Sequence, residues 1–142
     1  MQVLVDTSIW SLALRRSRAQ LSEPEKTITS DLRDFIQDGR ARIIGSVRQE
    51  LLSGVRDVAQ FERLKTYLRA FPDEPSLTED YEEAARLSNQ CRSRGIAGSV
   101  TDFLICAVAI ARGWQIFTED EDFQTYARVL PLKLFVSGAK TR

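Results

Sequence analysis

Histidine is absent from all 142 residues, and that absence removes more chemistry than any other feature of the chain. Ser-His-Asp and Cys-His nucleophiles, histidine general acid-base pairs and ordinary histidine zinc sites are all excluded. Catalysis here must draw on carboxylates, hydroxyls, arginine, lysine or thiols. Cysteine is almost as scarce. Cys91 and Cys106 stand 15 residues apart in segments of helical pattern, with no CxxC spacing and no secretory signal ahead of them. They are expected to be reduced, buried and cytoplasmic. No charge of one sign prevails, with 20 basic against 20 acidic residues, so affinity for a polyanion would have to come from where charges sit. The longest strongly apolar run, Phe103 to Ala111, is far short of the roughly 20 residues of a membrane helix, and no transmembrane segment is expected.

What is present is the composition of a folded domain. Apolar residues make up 43% and charged ones 28%, which excludes disordered and collagen-like classes, and the length fits a single domain over 1–142. Gln2 to Val5 reads as a short strand buried on both faces, followed by a helix from Asp6-Thr7-Ser8 to about Arg16. Ser22-Glu23-Pro24-Glu25 is a capping box opening a helix that Gly39 stops. Arg42 to Gly45 is a second strand, and Ser46 opens the helix carrying Glu50. Asp57 and Thr78 cap two more helices, and Ser99 caps an apolar one from Val100 to Arg112. Trp114 to Thr118 is a third strand, Asp120 starts a short helix to about Arg128, and Leu132 to Val136 is a last strand. Alternating strands and helices predict an α/β fold, a three-layer α/β/α sandwich on a four- or five-stranded parallel sheet.

In such sheets the ligand crevice lies beyond the carboxyl ends of the strands. Asp6 ends the first strand, and Asp120 and Asp122 follow the strand that ends in Thr118. Glu50 sits on the first turns of its helix and Asp102 at the start of another, so all five can face one crevice. Carboxylates brought together raise one another's pKa unless a cation intervenes. A set of oxygens without histidine suits Mg²⁺ or Mn²⁺, which activates water and neutralises charge on a phosphoryl group. Phosphodiester hydrolysis fits that set.

Four segments carry a family resemblance: Val5-Asp6-Thr7-Ser8, Glu50-Leu51-Leu52 with Gly54, Asp102-Phe103-Leu104-Ile105, and Phe117-Thr118-Glu119-Asp120-Glu121-Asp122-Phe123. In this order and spacing the chain resembles PIN-domain ribonucleases of the VapC toxin type, over nearly its whole length. The resemblance implies an acidic pocket of Asp6, Glu50, Asp102 and Asp120. Asp6, Asp102 and Asp120 would hold Mg²⁺, or Mn²⁺ in its place, and Glu50 would orient water or a second ion. Asp122 is a possible additional acid, and Thr7, Ser8 and Thr118 would orient the carboxylates. It further implies cleavage of single-stranded stretches in RNA, such as tRNA loops or other structured RNA, a homodimer, and a cognate antitoxin that covers the groove.

Plainer roles compete with each of these residues. Asp6 could be a helix cap, Asp102, Asp120 and Asp122 first-turn acids favoured by the helix dipole, and Glu50 a rim carboxylate paired with Arg48 or Arg56. Occurring together at strand ends, they favour a site. Arg15, Arg16 and Arg18 form a basic cluster suited to phosphate or to a solvated face, in a chain where arginine outnumbers lysine 16 to 4. Trp10 and Leu14 lie off the first helix's apolar stripe, as core residues or as a dimer or antitoxin contact. A phosphoacceptor signalling module with Lys133 as its sensor would want paired acids after the first strand, and a haloacid-dehalogenase-like phosphatase an aspartate at Ser8. The sequence has neither. A non-catalytic interaction domain, its acids serving only as caps, is the remaining alternative.

Overall fold

The computed structural model describes residues 1–15 and 17–138, without the side chain of Arg15. Three parallel strands make its sheet, β1 (Val3–Val5), β2 (Ala41–Arg42) and β3 (Gln115–Phe117), in the order β2-β1-β3. Among the described residues seven helices surround them: α1 (Thr7–Arg15), α2 (Glu23–Gln37), α3 (Gly45–Leu52), α4 (Val58–Leu68), α5 (Thr78–Arg92), α6 (Val100–Arg112) and α7 (Asp122–Tyr126). A short 3-10 turn, Arg18–Gln20, separates α1 from α2. Connections from β1 to β2 and from β2 back across to β3 run in opposite directions along the sheet. Parallel crossovers are right-handed as a rule, and connections of that hand put α1 and α2 on one face and α6 on the other.

The strand order reverses at β1, whose three residues are all buried. Its register pairs Val3, Leu4 and Val5 with Gln115, Ile116 and Phe117. The residues next in line, Asp6 and Thr118, therefore emerge side by side at the carboxyl edge. On α6, Phe103 to Ala109 are all buried, so this helix is a central pillar packed along α5. Its first turn still opens at the sheet's carboxyl edge. Cys91 and Cys106 are free and buried, as expected of reduced thiols in a core.

The sheet has three strands among the described residues, not the four or five expected. Leu132 to Val136 contributes a single bridge, Ile116 to Leu134, made by Ile116 N–H to Lys133 O and Phe135 N–H to Ile116 O, both 2.8 Å. Beyond it Asp31 on α2 takes the Ser137 hydroxyl at 2.5 Å and the Gly138 N–H at 3.3 Å, which draws the chain off the sheet. β2 is likewise short, because α3 begins at Gly45, with Ile44 and not Ser46 at its cap. At α5 the cap is Leu77 and not Thr78, since Asp80 reaches back to the Leu77 N–H at 2.8 Å. The last helix stops at Tyr126, short of Arg128. Trp10 is fully buried with its ring 5.0 Å from that of Phe71, which makes it core and not a contact surface. Among the described residues, no helix is long and apolar enough to cross a membrane.

Candidate active site

Two hydroxyls converge on Asp6. Ser8 Oγ and Thr118 Oγ1 each donate to Asp6 Oδ2 at 2.8 Å. The same oxygens accept from the loop after β3, Ser8 Oγ from Glu119 N–H at 3.0 Å and Thr118 Oγ1 from Asp120 N–H at 2.9 Å. Each hydroxyl thus relays Asp6 to the segment carrying Asp120. Asp6 is 5% exposed, and burial pushes its carboxyl up from the ordinary range against the lowering effect of these hydrogen bonds.

Asp102 comes from α6. Ser99 caps that helix, its hydroxyl accepting from the Asp102 N–H at 3.0 Å, which fixes the backbone of the first turn. The side chain accepts at Oδ2 from the Tyr126 hydroxyl at 2.6 Å. Burial raises the Asp102 carboxyl, and the neighbouring charges of Asp6 and Asp120 raise it further. Tyr126 is raised in turn by its own burial and by Asp102, which keeps it a donor. Asp120 Oδ1 accepts from the Asp122 N–H at 2.9 Å, turning the chain into α7 so that both carboxylates stay on one side.

Asp102, Asp120 and Asp122 each bring one carboxylate oxygen within 4.8 Å of the other two. Asp122, the additional acid of the sequence reading, is therefore inside this group, whereas Asp6 lies behind it in its cradle of hydroxyls. Glu50 stands apart on α3. Its Oε1 accepts from Thr7 Oγ1 at 2.7 Å, and neither Arg48 nor Arg56 pairs with it. Arg48 instead binds Asp73 at 2.9 Å and the carbonyls of Leu68 and Phe71, clamping the end of α4. Among the described residues, none of the five acids forms an ion pair. The donor set is all carboxylate oxygen, and the nearby Cys106 thiol is pushed up by burial and by Asp102, so it stays neutral. Such a set fits a hard divalent cation and not zinc.

Beside the acids, a cleft of about 340 Å³ runs between the loop Thr118 to Glu121 and the segment Leu134 to Ser137. Arg18 lines a different cleft, between α1 and α2, with Leu14, Arg33 and Tyr67, and none of the five acids borders it. Arg16 and the side chain of Arg15 lie outside the described residues. Tyr126 is not among the residues that the sequence marks for the site. Tyr126 continues the apolar spacing of Phe123, and its only signal was a hydroxyl at a core position, which needs a partner when buried.

Residues 3–129 match the PIN domain family. Ribonuclease VapC11 of Mycobacterium tuberculosis is 27% identical over 135 residues, covering 92% of this chain and 96% of its own, and a VapC ribonuclease of Mycobacterium bovis matches to the same extent. Among solved structures, FitAcB from Neisseria gonorrhoeae superposes with a TM-score of 0.74 at 17% identity, over 95% of this chain and 97% of that one. VapBC2 from Rickettsia felis, bound to a DNA fragment from its promoter, gives 0.72 at 17% identity over 95% and 98%. At that identity the structures speak for the fold, while the family match spans nearly all of the chain. The chain belongs to the PIN domain family.

Proposed function

We propose that this protein is a divalent-cation-dependent endoribonuclease, the toxin of a toxin-antitoxin pair, that cuts RNA phosphodiester bonds and is neutralised by a cognate antitoxin. The observation that carries the reading is the convergence of Asp102, Asp120 and Asp122 within 4.8 Å at the sheet's carboxyl edge, with no ion pair to them among the described residues. Support comes also from relatives named ribonucleases and from the solved neighbours, one of them a toxin-antitoxin complex from Klebsiella pneumoniae. Mg²⁺, or Mn²⁺ in its place, would be held by Asp102, Asp120 and Asp122, with Asp6 behind them. When bound, the cation supplies charge neutralisation at the phosphate and a water of lowered pKa.

The chain's own residues do the rest. Asp6 holds the Asp120 loop in register through Ser8 and Thr118, so its role is as much to place ligands as to be one. Glu50, steadied by Thr7, accepts a proton from water or directs a water at the rim. Substrates are single-stranded stretches of RNA, as in tRNA loops or other structured RNA, where the backbone is open to the pocket. The working unit is a cytoplasmic homodimer. The test is cleavage of total cellular RNA by antitoxin-free protein with Mg²⁺ or Mn²⁺, with a chelator, and with the Asp102→Asn variant. Discrete fragments that vanish with the chelator and with the variant are expected. Folded protein that cuts no RNA under either cation would instead favour the interaction domain.

A further inference from the structure

The Tyr126 hydroxyl has no part in the chemistry above, yet the structure is built to deliver it. Its ring is 1% exposed, held 5.0 Å from that of Phe103 and 5.3 Å from that of Phe123. The hydroxyl ends 2.6 Å from Asp102 Oδ2, within the range of a charge-assisted O–H···O⁻ bond. Gly98, in the loop before α6, lies directly against it. A Cβ on Gly98 would fall 2.3 Å from the hydroxyl oxygen, 2.7 Å from the adjoining ring carbon and 2.9 Å from the Phe103 ring. The loop thus passes the phenol only because residue 98 has no side chain.

We propose that Tyr126 is a positioning residue for Asp102, its hydroxyl holding that carboxylate toward Asp120 and Asp122, with Gly98 providing the space it needs. The inference rests on reading the three acids as a cation site. Asp120 and Asp122 precede or begin α7, whereas Asp102 belongs to α6. Tyr126 is on α7, so its bond ties the ligand from one element to the pair from the other. Without cation, Asp102 is repelled by Asp6 and Asp120, and an aspartate on a half-buried first turn can rotate to solvent. The phenol opposes that rotation and leaves the cation less ordering to do. Outer partners of this kind typically change metal affinity by about 10- to 100-fold.

The test is a calorimetric titration of Mn²⁺ into RNA-free wild type, Tyr126→Phe, Gly98→Ala and Asp102→Asn. Tyr126→Phe keeps the ring and removes one oxygen. Expected is an unchanged number of sites with affinity weakened about tenfold, and a parallel rise in the Mn²⁺ concentration for half-maximal cleavage. Partial unfolding would lower the number of sites and leave the affinity of those remaining. Gly98→Ala, with the phenol present but displaced, should weaken affinity as well. If Tyr126→Phe and Gly98→Ala bind like wild type while Asp102→Asn does not, the positioning role is overturned and the cation site stands. If Asp102→Asn also binds like wild type, both readings fall.

Discussion

Asp6 and Asp80 are each 5% exposed, but Asp6 lies much deeper in the protein while Asp80 sits just under the surface against Arg112, and their carboxyls shift in opposite directions. Asp80 meets Arg112, whose Nη1 and Nη2 lie 2.9 Å from its two oxygens, while Nε binds Glu74 and Nη2 the Pro75 carbonyl. The guanidinium holds Asp80 below the usual carboxylate range. Among the described residues Asp6 meets hydroxyls and backbone N–H groups but no cation, so burial prevails and its carboxyl rises. The chain therefore has the means to neutralise a buried acid and uses it where α5, α6 and the linker before them must be fastened. At the carboxyl edge of β1 the described residues bring no cation to the cluster, and Asp6 and Asp102 are held by hydroxyls instead. That contrast separates a buried acid paired with a guanidinium from one held by hydroxyls.

Several substitutions would sharpen or break the contrast. The largest effect belongs to Asp102→Asn, which should lower RNA cleavage by more than about 100-fold, beyond the usual cost of losing an outer partner, with the melting temperature of cation-free protein unchanged or raised. Arg112→Met should do the opposite, costing about 3 kcal/mol in denaturant unfolding because Asp80 and Glu74 lose their partner. Activity per folded molecule should persist. The same pair sets a pH dependence. With its folded pKa depressed, Asp80 adds stability that is complete above its unfolded value near 4 and is lost as pH falls through the folded value. Acid unfolding curves of Arg112→Met should lack this component.

Cation itself should stabilise the acidic pocket. At Mn²⁺ one hundred times its dissociation constant, a gain of about 2.7 kcal/mol is expected in wild type and none in Asp102→Asn, read from melting curves. The smallest effect is expected from Thr7→Val, which removes a partly exposed hydrogen bond to Glu50. It should cost under about 1 kcal/mol of stability, with a few-fold loss of cleavage.

Legibility in the sequence followed the range of the forces involved. Strand ends are local events, so Asp6 and Thr118 could be placed at one edge from the apolar runs that precede them. Ser22 and Ser99 cap as expected, because a hydroxyl three residues ahead of an N–H is a local geometry. Thr78 does not cap, because Asp80 wins the Leu77 N–H and is itself anchored by Arg112, 32 residues away. The last strand fails for a similar reason, its end captured by Asp31 on α2. Asp122 had the pattern of a solvated helix-start acid, and only the turn at Asp120 brings it beside Asp102. Whether a group is paired across the fold depends on partners that periodicity does not name.

The central claim, that this cluster of acids exists to hold a hard cation, is tested most directly by anomalous diffraction from crystals soaked in Mn²⁺. The account predicts a peak at coordination distance, about 2.2 Å, from carboxylate oxygens of Asp102, Asp120 and Asp122, and its loss in Asp102→Asn. A fully soaked crystal with no peak there, or with the same peak in the variant, would contradict it.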